Sequence, residues 1–268
     1  MMKISGLGNF ETNKVYSVVG ERVTAEVFTA GPGNKTPIES HAHADYQVTL
    51  SPITPGNYHY RGARHDIPKG SISFIHPGEA HACGGTGFRE ETTCWKVLMI
   101  SPEMIKSYCG NASFIDDFTT TDPAIYNSFD RYFDCLWQGC PLADDLLVEA
   151  FQNQASLRQV DARPLGSHWR LENARTFLDD CTSEKPTSDE IAKVAGLNKF
   201  YFIRSFKEKY GITPQRYLLG RRVDRAKQFL RGRKLGLSEV AFECGFSDQS
   251  HMTRTFKKFV GVTPKNYA

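Results

Sequence analysis

Hydrophobic positions follow different periods in the two halves of the chain. Between about residues 15 and 100, short runs of β-branched and aromatic residues alternate with turns rich in Gly and Pro, a pattern typical of strands. The clearest runs are VTAEVF, YQVTL, SISFI and KVLMI. Several short strands with no helix between them predict a β-barrel or a roll of two sheets.

From about residue 102 the apolar residues recur at helical spacing. The predicted helices cover SPEMIKSYC, DPAIYNSFDRYFDCLWQ and ADDLLVEAFQNQASLRQ, and Pro123 and Pro141 suit the first turns of the last two. Residues 159–168 contain Pro and Gly and are interpreted as a linker, after which only helices and turns follow. The prediction is an α+β protein of two domains, with a β-barrel and following helices at residues 1–160 and an all-α domain at residues 168–268.

An internal repeat occupies the all-α domain. RSFKEKYGITPQRY recurs 50 residues later as RTFKKFVGVTPKNY, and EIAKVAGL before the first copy matches EVAFECGF before the second. Each copy predicts a short helix, a tight turn and a second helix, at about residues 188–209 and 237–259. Thr187 and Glu190 form a capping-box signature before the first unit. A helix of about 15 residues is predicted to join the two units.

The second helix of each unit presents a polar face opposite its apolar stripe. Arg, Lys and Gln on this face are residue types that hydrogen-bond base edges in the major groove of DNA, and apolar residues there suit contact with thymine methyl groups. The outward positions are Lys199, Phe200, Ile203, Arg204 and Lys207 in the first unit, and Gln249, Ser250, Thr253, Arg254 and Lys257 in the second.

Charge supports nucleic-acid binding by the all-α domain. From residue 168 onward, 20 Lys and Arg oppose 11 Asp and Glu, a net charge of +9, whereas residues 1–167 carry −6 and the whole chain +3. Two reading helices must lie about 34 Å apart to enter successive major-groove turns, and the joining helix brings this spacing within reach. A mere stack of helical repeats would leave the charge unexplained. We therefore expect double-stranded DNA as the partner.

Residues 187–267 are similar to the DNA-binding domain of the AraC/XylS transcription regulators, most clearly in AFECGFSDQSHMTRTFKKFVGVTPKNY. The resemblance implies two helix-turn-helix units joined by a long helix, with base contacts from the second helix of each. It adds His251, which lies near the edge of the polar face, to the DNA-binding residues. Met252 replaces a Phe that is frequent in the family, and Ala268 replaces a basic residue, but neither lies on the polar face.

Histidines mark the candidate chemistry of the N-terminal half. His41 and His43 are two positions apart and would share one face of a strand, and GSISFIHPGEAH ends on His81. These segments resemble the two cupin motifs, HxH and GxxxxxPxGxxH, but Gln47 stands where metal-binding cupins have Glu, and His76 replaces the usual Pro. The candidate effector-binding residues are His41, His43, Tyr46, Gln47, Tyr58, Tyr60 and His81.

Three interpretations of the barrel remain open on the sequence: an effector pocket without metal, a pocket with a metal ion on His41, His43 and His81, and a purely structural barrel. Without the carboxylate, a divalent cation is less well compensated. The resemblance to the regulators implies the metal-free pocket, so we expect no metal, no cofactor and no catalysis. The alternatives are a cupin enzyme or metal sensor fused to a DNA-binding domain, and a constitutive architectural binder.

The helical stretch at residues 102–160 would cover the barrel or form a dimer. Its second helix has an apolar stripe, for which a core role is the default. The stripe residues are Phe129, Phe133, Leu136 and Trp137. The resemblance favours a homodimer, for which the next helix offers a seam. The candidate seam residues are Leu146, Leu147, Ala150 and Phe151.

Composition further limits the class of protein that the sequence can encode. The seven cysteines are scattered without CxxC, which argues against a disulfide framework or a structural zinc site. No run of 18 apolar residues and no secretory h-region occurs, so we expect a cytoplasmic protein without a membrane partner. Together with the DNA-binding pattern, the resemblance implies a transcription regulator that responds to a small-molecule effector and binds promoter DNA as a homodimer, with RNA polymerase as a further partner.

Overall fold

The computed structural model describes residues 2–4, 8–32, 37–51, 55–84, 92–109, 118–140, 143–155, 169–232 and 234–267. The linker predicted at residues 159–168 and the predicted helix start at Pro141 lie outside the described residues. The described residues up to 155 form the N-terminal part of the chain, and those from 169 onward form the C-terminal part.

Strands dominate the N-terminal part, and the four clearest predicted runs all form strands. The strands are β1 (Met2–Ile4), β2 (Gly8–Phe10), β3 (Val15–Val19), β4 (Val23–Ala30), β5 (Ile38–His41), β6 (Tyr46–Ser51), β7 (Gly56–Tyr60), β8 (Ala63–Ile67), β9 (Ser71–Ile75), β10 (His81–Cys83), β11 (Thr93–Ile100) and β12 (Thr119–Thr120). Six form an antiparallel sheet in the order β12-β9-β6-β11-β4-β3, and four form a second in the order β5-β10-β7-β8. The barrel is therefore an open roll of two sheets, and the α+β class is confirmed.

The six-stranded sheet is buried on both faces. On β6, Val48 and Leu50 point into an apolar core, while Gln47, Thr49 and Ser51 point the other way and are also buried. Alternate side chains of a strand face opposite sides of the sheet, which explains the division. One face thus builds a core, and the other is left to line a cavity.

Three helices cover the core face of this sheet. They are α1 (Pro102–Cys109), α2 (Pro123–Trp137) and α3 (Ala143–Ala155). Asp122 caps α2 by accepting from the first backbone N–H groups, and Pro123 occupies the first turn. The buried Lys96 of β11 donates to Asp130 and Asp134 of α2, at 2.6 and 2.7 Å, which ties the helix to the sheet.

The dimer seam predicted on α3 is wrong. Leu147, Ala150 and Phe151 are buried in the core of their own chain, and Leu146 packs against that core. The same core takes up the stripe of α2, since Phe129 and Phe133 are fully buried and Leu136 and Trp137 pack beside them. An apolar stripe on a helix has the same sequence pattern whether it packs against a sheet of its own chain or against a second copy of the protein. In this structure the sheet of the same chain covers the stripe.

The C-terminal part is helical, as predicted. Its helices are α4 (Trp169–Asp180), α5 (Ser188–Val194), α6 (Lys199–Tyr210), α7 (Pro214–Gly232), α8 (Leu237–Glu243) and α9 (Gln249–Val260). The capping box of Thr187 and Glu190 is confirmed at the start of α5. Gly211 and Gly261 end α6 and α9 with φ of 78° and 83°, a conformation that favours glycine.

Helix α7 joins the two helix pairs and also contacts the N-terminal part. It is 19 residues long, which makes it about 28 Å at 1.5 Å per residue. A Cβ on Gly220 would lie 3.2 Å from the carbonyl oxygen of Ala42. This glycine therefore allows α7 to lie directly against the backbone that follows β5.

Candidate functional site

Helix α6 exposes most of its predicted polar face. Asn198 caps it by accepting from two backbone N–H groups. Phe200 is 78% exposed, and the side chain of Arg204 is 76% exposed. Lys207 is also exposed, and Lys199 is half-buried and bonded to Asp189 at 2.8 Å. These polar contacts are on the surface and therefore weak, so the charged groups remain available to a ligand.

Ile203 differs from this pattern, because it is half-buried and packs against the core of the first helix pair. It stands at the border of the exposed face. Tyr201, which the sequence interpretation omitted, is 57% exposed next to Phe200. A wider window on the helical wheel would have included it, since it follows Phe200 by only about 100° around the axis.

Helix α9 presents the corresponding face of the second unit. Gln249, Ser250, Arg254 and Lys257 are exposed, and Thr253 is half-buried. His251 is half-buried too, at the edge of this face. Its ring lies edge-on to Phe246 at 5.4 Å, its Nδ1 contacts Ser247, and its backbone N–H donates to Asp248.

A cavity of about 120 Å³ lies inside the roll. Five of the seven predicted effector-binding residues line it, namely His41, His43, Gln47, Tyr58 and His81. Tyr46 and Tyr60 do not line it. Tyr46 precedes Gln47 on β6 and so points to the opposite face, where it packs against His76. Tyr60 is buried against Phe118 and bonds to Glu79.

The C-terminal part supplies one wall of this cavity, which the sequence did not predict. Lys227 of α7 and the segment that ends α9, residues 259–262, line it together with the sheets. Glu26 of β4 also lines it. The strand VTAEVF contained a signal for this position: Val23, Ala25 and Val27 mark the core face, so Glu26 had to face the interior of the roll.

Three imidazoles meet at one end of the cavity. His41, His43 and His81 are buried, and their candidate ligand nitrogens all lie within 4.8 Å of one another. Burial, and next the nearby His81, lower the pKa of His41 well below its usual range. Burial, followed by His43, lowers the pKa of His81 to about 3. Both rings are therefore neutral at pH 7, and each keeps one nitrogen lone pair.

Buried charges join the two parts of the chain. Asp224 of α7 accepts from His43 Nδ1 at 3.2 Å and from Arg221 at 2.9 Å. Burial alone would raise the pKa of Asp224, but His43 and Arg221 hold it at about 2. Glu26, which is fully buried, accepts from Lys227 and Arg231 of the same helix. The pocket and α7 therefore share one electrostatic network.

The N-terminal part also abuts the ends of both polar-faced helices. A Cβ on Gly211, at the end of α6, would lie 2.9 Å from Ala80, and one on Gly261, at the end of α9, would lie 3.6 Å from Ile38. Phe259 of α9 stacks on the ring of His41, with 5.7 Å between ring centroids and 20° between planes. His41 of the cavity lining is therefore in direct contact with α9.

Comparison with known proteins finds two families that match separate parts of the chain. Residues 30–159 match the AraC-like ligand binding domain, and residues 191–268 match a family described as a helix-turn-helix domain. The transcriptional regulator ArgR of Pseudomonas aeruginosa is 29% identical over 126 residues, and the transcriptional activator RhaS of Escherichia coli is 31% identical over 97 residues. The chain covers 38% and 35% of the lengths of these relatives.

A solved structure extends the similarity of fold to most of the chain. ToxT of Vibrio cholerae superimposes with a TM-score of 0.67 at 12% identity, over 91% of this chain and 96% of ToxT. At that identity the likeness concerns the fold alone. Among the described residues, no helix is long and apolar enough to cross a bilayer.

Proposed function

We propose that this chain, which belongs to the AraC/XylS family of transcription regulators, binds an operator through α6 and α9 under the control of a small-molecule effector. The observation that carries the proposal is the pair of exposed polar faces on a domain of net charge +9. Each face lies on the second helix of a helix-turn-helix unit, and Arg204 and Arg254 occupy matching positions on the two faces. Arg is the residue that most often reads guanine in the major groove.

The two faces favour an operator made of two dissimilar boxes. Arg204 and Arg254 correspond, but Phe200 of the first face is replaced by Ser250 in the second, and Ile203 by Thr253. Apolar side chains suit thymine methyl groups, whereas hydroxyls hydrogen-bond base edges. One protomer would therefore read an asymmetric site, with no need for a palindrome.

The shared cavity supports control of DNA binding by an effector. Its walls come from both parts of the chain, so a ligand there contacts the roll, Lys227 and Phe259 at once. A ligand shifts a conformational equilibrium by its difference in affinity for the two states, and a pocket divided between two bodies provides such a difference. The lining is mostly apolar, with Phe28, Trp95 and Met99 beside the polar groups. This chemistry suits a small organic molecule with one polar end.

Two further partners follow from the family. A homodimer would use a face other than the buried one of α3, and RNA polymerase would be contacted if the protein activates transcription. Sedimentation of the full chain over a range of concentrations tests the first, and transcription in vitro tests the second. ToxT has been solved with an unsaturated fatty acid bound, and an amphipathic acid is therefore a reasonable member of the first ligand panel.

Selection of binding sites from random DNA, followed by sequencing, tests DNA recognition. We expect Arg204→Ala and Arg254→Ala each to cost about 1–3 kcal/mol of operator binding and to relax the preference in one box only. Arg131→Ala is the matched control, because its side chain is also largely exposed, at 64% against 76% for Arg204, but lies on α2. If both variants bind the selected operator like the unchanged protein, the assignment of α6 and α9 as reading helices fails.

A thermal-shift screen with small metabolites tests effector control. A ligand present at 100 times its Kd stabilises the folded state by about 2.7 kcal/mol, which is readily measured. A hit should change operator affinity as well. Stabilisation without any effect on DNA binding would favour the architectural binder, and turnover of the ligand would favour the enzyme.

A further inference from the structure

We propose that His41, His43 and His81 bind one divalent transition-metal ion through their Nε2 atoms, and that Asp224 of the DNA-binding domain is the outer-shell partner that orients His43. The proposal replaces the metal-free pocket expected from the sequence. Metal binding stands independently of the proposed function, whereas its link to the operator rests on that function.

The outer nitrogens of the three rings all face acceptors. These acceptors are the Glu39 carbonyl for His41 at 2.7 Å, the Asp224 carboxylate for His43 at 3.2 Å and the Glu79 carbonyl for His81 at 3.3 Å. Carbonyl and carboxylate oxygens only accept, so each Nδ1 carries a proton, and Nε2 is the nitrogen of each ring that a metal ion can bind. An imidazole held by an acceptor at its far nitrogen is the usual form of a metal-ligating histidine.

The Nε2 atoms of His41 and His43 are then too close to each other for both to carry an unshared lone pair. Nε2 of His41 lies 3.0 Å from Nε2 of His43. Two lone pairs at this distance repel, so a cation must lie beside both, either a proton or a metal ion. Zn–N bonds of about 2.0–2.1 Å at a tetrahedral angle place neighbouring nitrogens about 3.3 Å apart, close to the observed separation.

The third ring completes a set of three ligands. The centroid of His81 lies 4.4 Å from that of His41 and 5.1 Å from that of His43. Three buried imidazoles without a carboxylate select the borderline class of Zn²⁺, Co²⁺, Ni²⁺ and Fe²⁺ over Mg²⁺ and Ca²⁺, which require oxygen ligands. Three protein ligands would also leave a fourth coordination position for a water or an effector group.

The outer-shell contact connects this site to DNA binding. His43 is on the N-terminal side of the boundary and Asp224 is on α7, between the two helix-turn-helix units. Loss of an outer-shell partner typically weakens metal binding by about 10- to 100-fold. A domain arrangement that withdraws Asp224 would therefore bind the metal less tightly, and by linkage the metal would favour the arrangement seen here.

Metal titration of the untagged full-length protein tests the proposal. We expect elemental analysis to find about one equivalent of Zn²⁺ after incubation and dialysis, visible absorption bands on addition of Co²⁺, and no response to Mg²⁺. His43→Ala should abolish binding, and His41→Gln is a second variant in case the first fails to fold. Asp224→Asn should weaken it by about 10- to 100-fold. His59→Ala, an exposed histidine on β7, is the matched control and should bind like the unchanged protein.

The outcomes separate this inference from the proposed function. Folded protein that binds no Zn²⁺ or Co²⁺, or a folded His43→Ala protein that binds them normally, would overturn the metal site. Unchanged affinity in Asp224→Asn would overturn the outer-shell role. Operator binding is measured on the same samples with and without the ion. Tight operator binding by a protein that takes up no metal refutes only this inference, and absence of operator binding refutes the proposed function.

Discussion

Glu26→Gln is expected to weaken the contact between the roll and the C-terminal part of the chain. Glu26 is buried on β4, and its carboxylate accepts from Lys227, Arg231 and Tyr267, which all belong to the other domain. Glutamine has nearly the same size, but it removes the negative charge and replaces one acceptor oxygen by an NH2 donor. The change therefore leaves two cations at the boundary without their counter-ion and creates no cavity.

The magnitude follows from the burial of the pair. Lys227 Nζ lies 3.4 Å from the Glu26 carboxylate, and the two side chains are only 8% and 1% exposed. At an effective dielectric constant of about 20, unit charges at this distance attract by about 5 kcal/mol. Desolvation offsets much of this gain in the intact pair, but removing one partner of a buried pair typically costs about 3–5 kcal/mol. We expect a loss of about 3 kcal/mol or more in the free energy of unfolding.

Urea unfolding followed by circular dichroism measures this loss, with Glu39→Gln as the matched control. Glu39 also pairs across the domain boundary, with Arg216 and Lys258, but its side chain is 38% exposed. Exposed pairs are worth about 0–1 kcal/mol, so the control should lose less than that. A Glu26→Gln protein within about 1 kcal/mol of the unchanged protein, or no less stable than the control, would refute the reasoning.

Acid should remove the same contribution. Burial on its own raises the pKa of Glu26, but Lys227 and Arg231 outweigh it and hold the pKa below the usual value for Glu. A lowered folded-state pKa contributes stability above the unfolded pKa of about 4.3, and the contribution is lost as the pH falls through the folded value. The difference in stability between the unchanged protein and Glu26→Gln should therefore shrink below about pH 4. A difference that stays constant down to about pH 3 would count against the assignment.

Two further pairs of substitutions compare a position in a tight contact with a matched position that lacks the contact. Gly220→Ala should lower the melting temperature although alanine favours helix by about 1 kcal/mol, because the new Cβ would press on the Ala42 carbonyl oxygen, whereas Gly232→Ala, with open space around it, should not lower it. Equal melting temperatures for these two variants would show that the backbone at Ala42 accommodates the new Cβ without loss of stability. Phe202→Ala should cost about 3–5 kcal/mol of stability because the ring is fully buried, whereas Phe200→Ala should leave unfolding unchanged and weaken operator binding. Urea unfolding and fluorescence anisotropy with labelled operator measure the two effects, and a reversal of the two roles would contradict the face assignment.

Much of the architecture could be predicted because it depends on local patterns. The strands β4, β6, β9 and β11 follow from β-branched runs between turns, and the start of α5 follows from Thr187 and Glu190. These signals act over a few residues, so a single sequence displays them. The division of α6 into buried and exposed sides follows from helical periodicity in the same way, apart from Ile203 at its border.

Contacts between distant segments could not be predicted from such patterns. The apolar face of α3 gave no indication of whether its own sheet or a second copy would cover it, and the interpretation as a dimer seam was wrong. Tyr60 and Tyr58 lie on the same strand and point to the same face, yet only Tyr58 lines the cavity, because Tyr60 is two residues farther along the strand. Burial by a particular partner is a property of the packed chain and leaves no periodic trace in the sequence.

By itself, the sequence determined the two helices with polar faces, the runs that form strands and the positions of the three histidines in the chain, because periodicity, caps and short motifs each act within one element. Only the tertiary structure decided which residues of these elements contact each other. Asp224 lies 181 residues from His43, and Lys227 lies 201 residues from Glu26, yet both pairs meet at one boundary. Such charges become partners only when the domains pack and exclude water between them, and this packing turns a histidine motif and a connecting helix into one linked site.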